Sequence, residues 1–348
     1  MRVRSLETFP VALPFREPYV TATGTLERRE MLLVRIEDED GAEGWGDAVP
    51  LSLRGGASLA EIAEQLESAP VDHLEPERLD APARAAIDAA LLDLEGRRAG
   101  TPAWVVLGAH AIGDPPGGEV RCNGTLGGGE PSRVASSASE LVAAGFTTLK
   151  VKVGTGEDRQ RMRAVRAAVG PAVALRVDAN GAWGVEEAAE QLAGMAAEVG
   201  LELAEQPCAT LGELGDLRGR VDVPIVADES VASAEDAAAA AGACDAATLK
   251  LAKVGGPREA LRIASALPCY LSSALDSPLG IAAAAHTALA LPGDGFVADL
   301  AHGLATSSLF ADNVAADDRF RGPAIDPGTA PGLGIEIDRD AVERLRIR

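Results

Sequence analysis

The chain has 348 residues, which is enough for two domains or for one large domain with an attachment. Its net charge of −21 and isoelectric point of about 4.6 argue against nucleic acid and anionic membranes as partners. The four cysteines are too dispersed for a metal motif and too few for a disulfide scaffold, so we expect reduced thiols in a cytoplasmic protein. The first 15 residues lack the apolar run of a signal peptide, and the alanine-rich stretch 279–291 is too short to span a membrane.

The first 110 residues mix strand and helix signals. Residues 31–50 (MLLVRIEDEDGAEGWGDAVP) predict a β-hairpin with an acidic Asp-Gly turn. Residues 83–100 (ARAAIDAALLDLEGRRAG) have apolar positions at helical spacing and predict a helix that stops at Gly100. The Gly- and Pro-rich stretch 112–119 (IGDPPGGE) is the predicted domain boundary.

From residue 120 onward, short apolar strands alternate with alanine-rich helical stretches. The strands are predicted at 120–126, 147–153, 173–180, 201–207, 224–230, 246–253, 269–277 and 296–303. Eight strands with intervening helices indicate parallel βαβ units and favour a closed barrel. A doubly wound open sheet is the structural alternative, but no G-x-G-x-x-G motif follows its first strand.

Acidic residues fall at the ends of three successive predicted strands. Asp178, Glu205 and Asp228 occupy these positions, and the C-terminal strand ends of such a barrel surround the active site. Unpaired carboxylates that converge in a partly buried site repel one another, and a hard divalent cation relieves the repulsion. Oxygen ligands suit Mg²⁺, so the sequence predicts a metal site with open positions for water or substrate. Glu229, beside Asp228, is expected to point away from the metal.

Lysine is rare in this chain and is confined to two short apolar runs. Lys150, Lys152, Lys250 and Lys253 are the only lysines, and every other basic side chain among the 32 is arginine. Lysine, unlike arginine, can lose its proton and act as a base once burial or a nearby cation lowers its pKa. Side chains two apart on a strand face the same way, so Lys150 and Lys152 should project together into the barrel mouth. Lys253, three residues after Lys250, is expected to face the opposite side of the sixth strand and to be structural.

Lysines beside a metal are suited to removing a proton from the carbon next to a substrate carboxylate. The metal would hold the carboxylate and stabilise an enediolate, and a deprotonated lysine would take the α-proton. A permanently charged arginine at position 152 could not serve as that base. The sequence therefore predicts a metal-dependent enzyme that acts on a small carboxylate.

Six short motifs occur in the order and at the strand positions of a known family. They are KVK (150–152), RVDANGAW (176–183), AEQP (204–207), ADES (227–230), TLKLAKVGG (248–256) and SSALDSPLG (272–280). Each motif is weak alone, but together they resemble the enolase superfamily in its muconate-lactonizing subgroup. The end of the barrel, with SSALDSPLG and AHGLATSSLFADNV, is most similar to the o-succinylbenzoate synthases.

The resemblance implies a fold and a domain division. The fold would be an α/β, (β/α)7β TIM-like barrel with an α+β capping domain. Residues 1–115 would form the capping domain, 116–315 the barrel with the active site, and 316–348 a C-terminal segment that packs back on the capping domain. Gly-bearing loops at 17–24 and 52–56 would correspond to the specificity loops of the family.

The resemblance also implies a reaction and the roles of residues in it. The reaction would be the dehydration of 2-succinyl-6-hydroxy-2,4-cyclohexadiene-1-carboxylate to 2-succinylbenzoate in menaquinone biosynthesis, with Mg²⁺ or Mn²⁺ as cofactor. Lys152 would abstract the α-proton and then deliver the proton that lets hydroxide leave, while Lys250 would stabilise the planar intermediate by its charge. The other implied site residues are the metal ligands Asp178, Glu205 and Asp228, the catalytic Lys150, and the substrate-binding Arg176, Asn180, Ser273 and Ser277.

Alternatives remain open at this point. An N-succinylamino acid racemase or dipeptide epimerase would use the same scaffold, because two lysines that face each other across a metal also suit a two-base racemisation. Dipeptide epimerases usually hold the substrate ammonium with Asp-x-Asp on the eighth strand, and here Asp299 is followed by Leu300 and Ala301. A non-catalytic metal-binding barrel is the alternative from another class. The sequence does not decide whether the protein forms a homo-oligomer. It also leaves open the roles of Lys253, His302 and Arg54. His302 is expected in a pocket wall or the core, and Arg54 is a loop residue that could meet a substrate carboxylate.

Overall fold

The computed structural model describes residues 2–21, 24–52, 55–71, 74, 76–109, 118–293, 295–316 and 319–347. Arg54, parts of both predicted specificity loops and most of the predicted boundary at 112–119 lie outside these residues. The strands are β1 (Val3–Thr21), β2 (Gly24–Asp38), β3 (Glu43–Ala48), β4 (Val120–Arg121), β5 (Gly124–Leu126), β6 (Thr148–Lys152), β7 (Ala174–Asp178), β8 (Leu203–Glu205), β9 (Ile225–Ala227), β10 (Ala246–Leu249), β11 (Cys269–Leu271) and β12 (Ala324–Ile325). The helices are α1 (Leu59–Ser68), α2 (Ala81–Ala99), α3 (Ala103–Val106), α4 (Pro131–Ala143), α5 (Asp158–Val169), α6 (Val185–Val199), α7 (Leu211–Arg218), α8 (Ala234–Ala240), α9 (Leu251–Val254), α10 (Pro257–Ala264), α11 (Pro278–Ala290) and α12 (Arg339–Leu345).

The N-terminal region is a three-stranded antiparallel sheet with helices packed on it. The predicted hairpin is confirmed, because β2 and β3 pair on either side of a short turn between Asp38 and Glu43. Helix α2 lies directly on β3, where Gly44 and Gly46 let the backbones approach and any side chain would overlap carbonyl groups of the helix. The helix ends as predicted at Gly100, which has the left-handed conformation (φ 66°) that glycine adopts without strain.

The second region is a parallel barrel. Strands β5 to β11 form a seven-stranded sheet in chain order, so their carboxyl ends meet at one rim. The sheet closes through the segment after α11, where His302 forms a parallel bridge to Cys122 and Gly303 forms one to Ser272. The predicted α/β barrel is therefore confirmed.

The eighth predicted strand, 296–303, is wrong in its first half. Gly295–Asp299 is a 3₁₀ helix, and strand-type pairing occurs at the two bridges described above. The physical reason is burial, because Val297 and Leu300 enter a small hydrophobic cluster. This basal plug consists of Leu203, Val226, Ala246, Tyr270, Val297 and Leu300. Leu203 lies two residues before Glu205 on the same face of β8, so the plug fills the barrel beneath its rim.

The stretch after residue 316 first contacts the start of the barrel and then returns to the N-terminal region. β12 pairs with β4, whereas Arg346, just after α12, forms an antiparallel bridge with Val11 of β1. Asp93 of α2, which is wholly buried, accepts the backbone N–H groups of Trp45 (3.0 Å) and Leu333 (2.8 Å). The Asp93 carboxylate thus connects the N-terminal sheet with the C-terminal stretch through hydrogen bonds.

Two expectations from composition concern thiols and membranes. Cys122, Cys208, Cys244 and Cys269 are all buried free thiols. Burial raises the pKa of Cys122 and of Cys269 to about 12, so these two thiols are unreactive. Among the described residues, no helix has the length and apolar character needed to cross a bilayer.

Candidate active site

Three carboxylates meet at the carboxyl ends of adjacent barrel strands. Asp178 ends β7, Glu205 ends β8 and Asp228 follows β9, and each side chain is at most 1% exposed. Asp178 pairs in register with Glu205, so the two stand side by side at the rim. The alternation of side chains along short strands turns all three into the barrel interior. Three buried negative charges at one place require counter-charge.

Lys150 and Lys152 supply part of this counter-charge from β6. Lys150 Nζ lies 2.8 and 3.1 Å from the two oxygens of Glu205, and Lys152 Nζ lies 2.6 Å from Asp178 Oδ2. Burial disfavours both ammonium groups, but the charges of Glu205 and Asp178 outweigh it and raise the pKa of Lys150. For Lys152 burial prevails over the attraction of Asp178, and the charge of Lys150 helps to lower its pKa. Lys152 is therefore the better base of the two.

The other two lysines bind Asp228, and here one expectation is wrong. Strand β10 ends at Leu249, and Lys250 is the cap residue of the short helix Leu251–Val254. Residues three apart on a helix share a face, so Lys253 points the same way as Lys250. Lys250 donates to Asp228 Oδ2, while Lys253 donates to Asp228 Oδ1 (2.9 Å) and to its backbone carbonyl.

The ammonium groups keep the buried carboxylates ionised. Burial alone would raise the pKa of Asp178, but Lys152 and Lys150 outweigh it and lower the pKa to about 2. For Asp228 the second lysine pair likewise outweighs burial and holds its pKa well below the ordinary range. Asp178 and Asp228 are therefore charged oxygen donors at neutral pH.

The chemistry of this donor set fits a hard divalent cation. Three convergent carboxylates, all oxygen donors, suit Mg²⁺ or Mn²⁺ better than a soft metal. As the described side chains stand, no group of three or more His, Cys, Asp or Glu residues has the spacing of a metal site. The ammonium groups lie against the carboxylate oxygens instead. A bound cation would be held by Asp178, Glu205 and Asp228 in exchange for some of these lysine contacts.

Asn180 and Glu229 extend the cluster towards solvent. Lys152 Nζ lies 2.6 Å from Asn180 Oδ1, and Asn180 Nδ2 donates to Glu229 Oε1 (3.0 Å). Asn180 has a positive φ of 47°, which asparagine tolerates better than most residues. The structure thus places Asn180 at the site, where its amide oxygen faces the ammonium group of Lys152.

Arg176, in contrast, does not reach the barrel mouth. It is wholly buried and lies two residues, or about 6.6 Å, below Asp178 along β7. Its guanidinium pairs with Glu202, donates to the carbonyl of Ala301 (2.6 Å) and lies 5.1 Å from the ring centroid of Tyr270. The predicted contact with substrate is therefore replaced by an ion pair inside the barrel wall.

Tyr270 is a residue of the site that the sequence analysis missed. Its hydroxyl donates to Glu205 Oε2 (2.7 Å), while its ring belongs to the basal plug. Lys150 binds the same carboxylate, so Glu205 is held from two sides. The available signal was the inward-facing position of a tyrosine in an apolar strand, because a buried tyrosine hydroxyl usually has a polar partner.

Residues 272–277, here called the serine loop, follow β11 at the rim of the barrel. Ser273 Oγ donates to Asp276 Oδ2 (2.7 Å). Ser277 is wholly buried at the N-terminus of α11 and its hydroxyl donates to Asp47 Oδ2 (2.6 Å) of the capping domain. The hydroxyl of Ser273 thus shapes the loop and that of Ser277 joins it to the other domain, and the substrate contacts of both residues stay a prediction.

His302 is part of the barrel wall. Its Nδ1 accepts the backbone N–H of Leu271 (3.0 Å). Burial, assisted by the positive charge of Arg176, lowers its pKa to about 3, so the ring is neutral at physiological pH. These contacts give the imidazole a structural part in closing the barrel.

Comparison with known proteins identifies the family. Residues 133–341 match the enolase C-terminal domain-like family, and residues 3–108 match the N-terminal domain of mandelate racemase and muconate lactonizing enzyme. The chain therefore belongs to the enolase superfamily, and its barrel with a capping domain is the fold of that superfamily.

Individual relatives carry different activities. The chain is 33% identical to the hydrophobic dipeptide epimerase of Enterococcus faecalis, over 96% of this chain and 99% of that protein. It is 42% identical to an o-succinylbenzoate synthase of Mycobacterium ulcerans, over 68% of this chain and 76% of that protein. The muconate lactonizing enzyme of Pseudomonas fluorescens, solved with muconolactone, superposes with a TM-score of 0.90 at 27% identity and 99% coverage of both chains. The substrate must therefore be argued from the site.

Proposed function

We propose that this protein is an o-succinylbenzoate synthase that requires Mg²⁺ or Mn²⁺. The observation that carries the proposal is the segment from Asp299 to Ala301. The Asp299 side chain is 98% exposed and pairs with Arg121, whereas Leu300 belongs to the basal plug. Ala301 has no side chain that could hold an ammonium group. The segment offers no second carboxylate to an amine-bearing dipeptide, which argues for a substrate without a charged nitrogen.

The proposed substrate is a cyclohexadiene that carries a carboxylate, a succinyl side chain and a hydroxyl group. Lys152 takes the proton from the carbon that bears the carboxylate. The bond from the neighbouring ring carbon to the hydroxyl then breaks, and the departing hydroxide takes a proton from Lys152 to leave as water. The ring becomes the aromatic ring of 2-succinylbenzoate, a precursor in menaquinone biosynthesis. The divalent cation, when bound by Asp178, Glu205 and Asp228, would stabilise the negative charge that develops on the substrate carboxylate.

The other lysines support this division of labour. Lys150 keeps its proton because of its carboxylate neighbours, and its positive charge favours the neutral form of Lys152. Lys250 approaches the carboxylates from the far side, since the sheet order places β6 before and β10 after the three carboxylate-bearing strands. From there it supplies positive charge opposite the base.

A racemase acting on N-succinyl amino acids is the second candidate. The same bracketing of the carboxylates by Lys152 and Lys250 suits proton removal on one face and return on the other. The nitrogen of such a substrate is an uncharged amide and needs no carboxylate partner. Because the homologous protein from Enterococcus faecalis is a hydrophobic dipeptide epimerase, epimerisation of dipeptides is a third activity to measure.

The test is a comparison of kcat/KM for the cyclohexadiene carboxylate, a panel of N-succinyl amino acids and a panel of dipeptides. We expect dehydration to be the fastest reaction in the presence of Mg²⁺, and Lys152→Ala to remove it. Faster epimerisation of dipeptides would overturn the proposal. Faster racemisation of N-succinyl amino acids would replace it with the second candidate.

A further inference from the structure

The serine loop contains a backbone conformation that is poorly suited to its residue. Leu275 has a φ of 67°, in the left-handed region that a leucine enters only at an energetic cost. Such a conformation persists where the surrounding structure over-determines it. Leu275 is half-buried at the rim, whereas Asp276 and Ser277 are buried beneath it. Part of the support comes from within the loop, where Ser273 Oγ accepts the backbone N–H groups of Leu275 (2.9 Å) and Asp276 (3.0 Å).

Two capping-domain residues provide contacts on either side of this strained position. Arg29 is 7% exposed, and its Nη2 donates to the carbonyl of Ala274 (3.1 Å) and to that of Pro50 (2.8 Å). Asp47 Oδ2 accepts both the backbone N–H (2.9 Å) and the hydroxyl (2.6 Å) of Ser277. The first contact holds the residue before the strained position, and the second holds the chain just after it.

The place of Asp47 is shaped for a carboxylate. A side chain at Gly280 would overlap the Asp47 oxygens, so the first turn of α11 carries a glycine at the point of closest approach. The Asp47 side chain sits at the N-terminus of this 13-residue helix, where backbone N–H groups need acceptors. Together with Asp276 it lines a cavity of about 10 Å³ that also touches the first residues of α9, directly after Lys250. The contact thus lies between the capping domain and two loops of the active-site rim.

We propose that Arg29 and Asp47 are positioning residues that clamp the serine loop in its strained conformation, so that substrate binding in the barrel depends on a contact from the capping domain. This inference rests on the proposed function only in one respect, which is the substrate used to measure KM. The serine loop lies at the rim after β11, whereas Lys152 and its carboxylate partner Asp178 lie on β6 and β7. Loss of the clamp is therefore expected to raise KM more than it lowers kcat.

The experiment combines hydrogen exchange with kinetics on the full-length enzyme. Asp47→Ala should speed amide exchange in residues 273–280 and raise KM about 5- to 30-fold, the range that one or two kcal/mol produces, while kcat changes little. Adding Leu275→Gly should recover part of the loss, because glycine enters the left-handed region without the leucine's cost. If Asp47→Ala does not fold, Asp47→Asn keeps one acceptor and is measured instead.

Asp93→Ala is the matched control, because Asp93 is also a buried carboxylate of the N-terminal region that accepts two backbone N–H groups. It should lower thermal stability without changing exchange in the serine loop or KM. Unchanged loop exchange and KM in Asp47→Ala would overturn the proposal. The proposal would also be overturned if Asp93→Ala raised KM as much as Asp47→Ala does and if Leu275→Gly failed to lower the KM of Asp47→Ala. The exchange measurement requires no substrate, so it tests the clamp even if the proposed reaction is wrong.

Discussion

Buried carboxylates occur in two regions of this molecule, and the two regions treat them in opposite ways. At the barrel mouth, ammonium groups outweigh burial and lower the pKa of Asp178 to about 2. At the domain interface, burial and then the charge of Asp276 raise the pKa of Asp47 to about 7, and burial also raises that of Asp276. Arg29 is near this pair, but its Nη2 donates to backbone carbonyls. Burial beside lysine thus leaves the Asp178 carboxylate charged at neutral pH, whereas burial without lysine favours the protonated form of Asp47.

The largest effect is expected from the removal of divalent cations, which tests the difference between the carboxylates of the barrel mouth and those of the interface. Chelation with EDTA should abolish turnover, and Mg²⁺ or Mn²⁺ should restore it, because the charged carboxylates of the mouth are the hard ligands for such an ion. Calorimetry should show weaker Mg²⁺ binding for Asp178→Asn, Glu205→Gln and Asp228→Asn with the fold intact. Asp276→Asn, from the interface, is the matched control and should bind Mg²⁺ like the parent. Full activity after exhaustive chelation would remove the metal from the reaction.

Arginine substitutions sharpen the comparison at the mouth. Lys152→Arg should lose about 10²–10⁴-fold in kcat, nearly as much as Lys152→Ala, because a permanently charged group cannot act as a base. Lys250→Arg should retain more activity than Lys250→Ala, since there a positive charge suffices. Steady-state kcat of the four variants measures both contrasts. Equal losses at position 250 would make Lys250 a second base and favour the racemase, and an active Lys152→Arg would contradict the base assignment.

The smallest effect concerns stability at the interface. Asp47 titrates near pH 7 in the folded protein and near pH 4 in an unfolded chain, so the folded state holds a proton that the unfolded state has released. The free energy of unfolding contributed by this group should therefore fall as pH rises from about 4 to about 7. Asp276→Asn removes the neighbouring charge and should make that fall shallower.

Urea unfolding of the parent and of Asp276→Asn at several pH values between 4 and 8 measures this slope. The exposed Asp216→Asn is the control and should leave the slope as it is. An identical slope in the parent and in Asp276→Asn would contradict the inference that the charge of Asp276 raises the pKa of Asp47.

The barrel mouth could be predicted because side chains alternate in direction along a β-strand, so sequence spacing shows which residues face the barrel interior. A polar residue at the end of a short apolar run marks the rim, and this rule located Asp178, Glu205 and Asp228. The alternation of side chains along a strand gives the face of a residue and not its depth. It therefore could not show that Arg176, for which the resemblance implied a substrate contact, lies one layer below Asp178. Lys253 was misplaced because TLKLAKV fits a strand as well as a strand that turns into a helix after Leu249.

The interface between the domains could not be predicted in the same way. Asp47 and Ser277 are 230 residues apart, and no local period connects them. The resemblance to the family implied substrate contacts for the serines of the loop, and these contacts stay a prediction. The sequence did not show that Ser277 also bonds to Asp47, since the end of β3 and the start of α11 meet only through tertiary packing.

The basal plug gives the barrel a floor. Val297 and Leu300, with inward residues of the neighbouring strands that include the ring of Tyr270, place a mainly apolar layer under the charged cluster. Water or a polar molecule crossing that layer would lose its hydrogen bonds, so the route is energetically closed. Small molecules should therefore reach the charged cluster from the rim, where Lys152 is partly exposed and Asn180 is exposed. If substrate and product use the same rim, product must leave before the next substrate binds, and the rate of its release sets an upper limit on turnover.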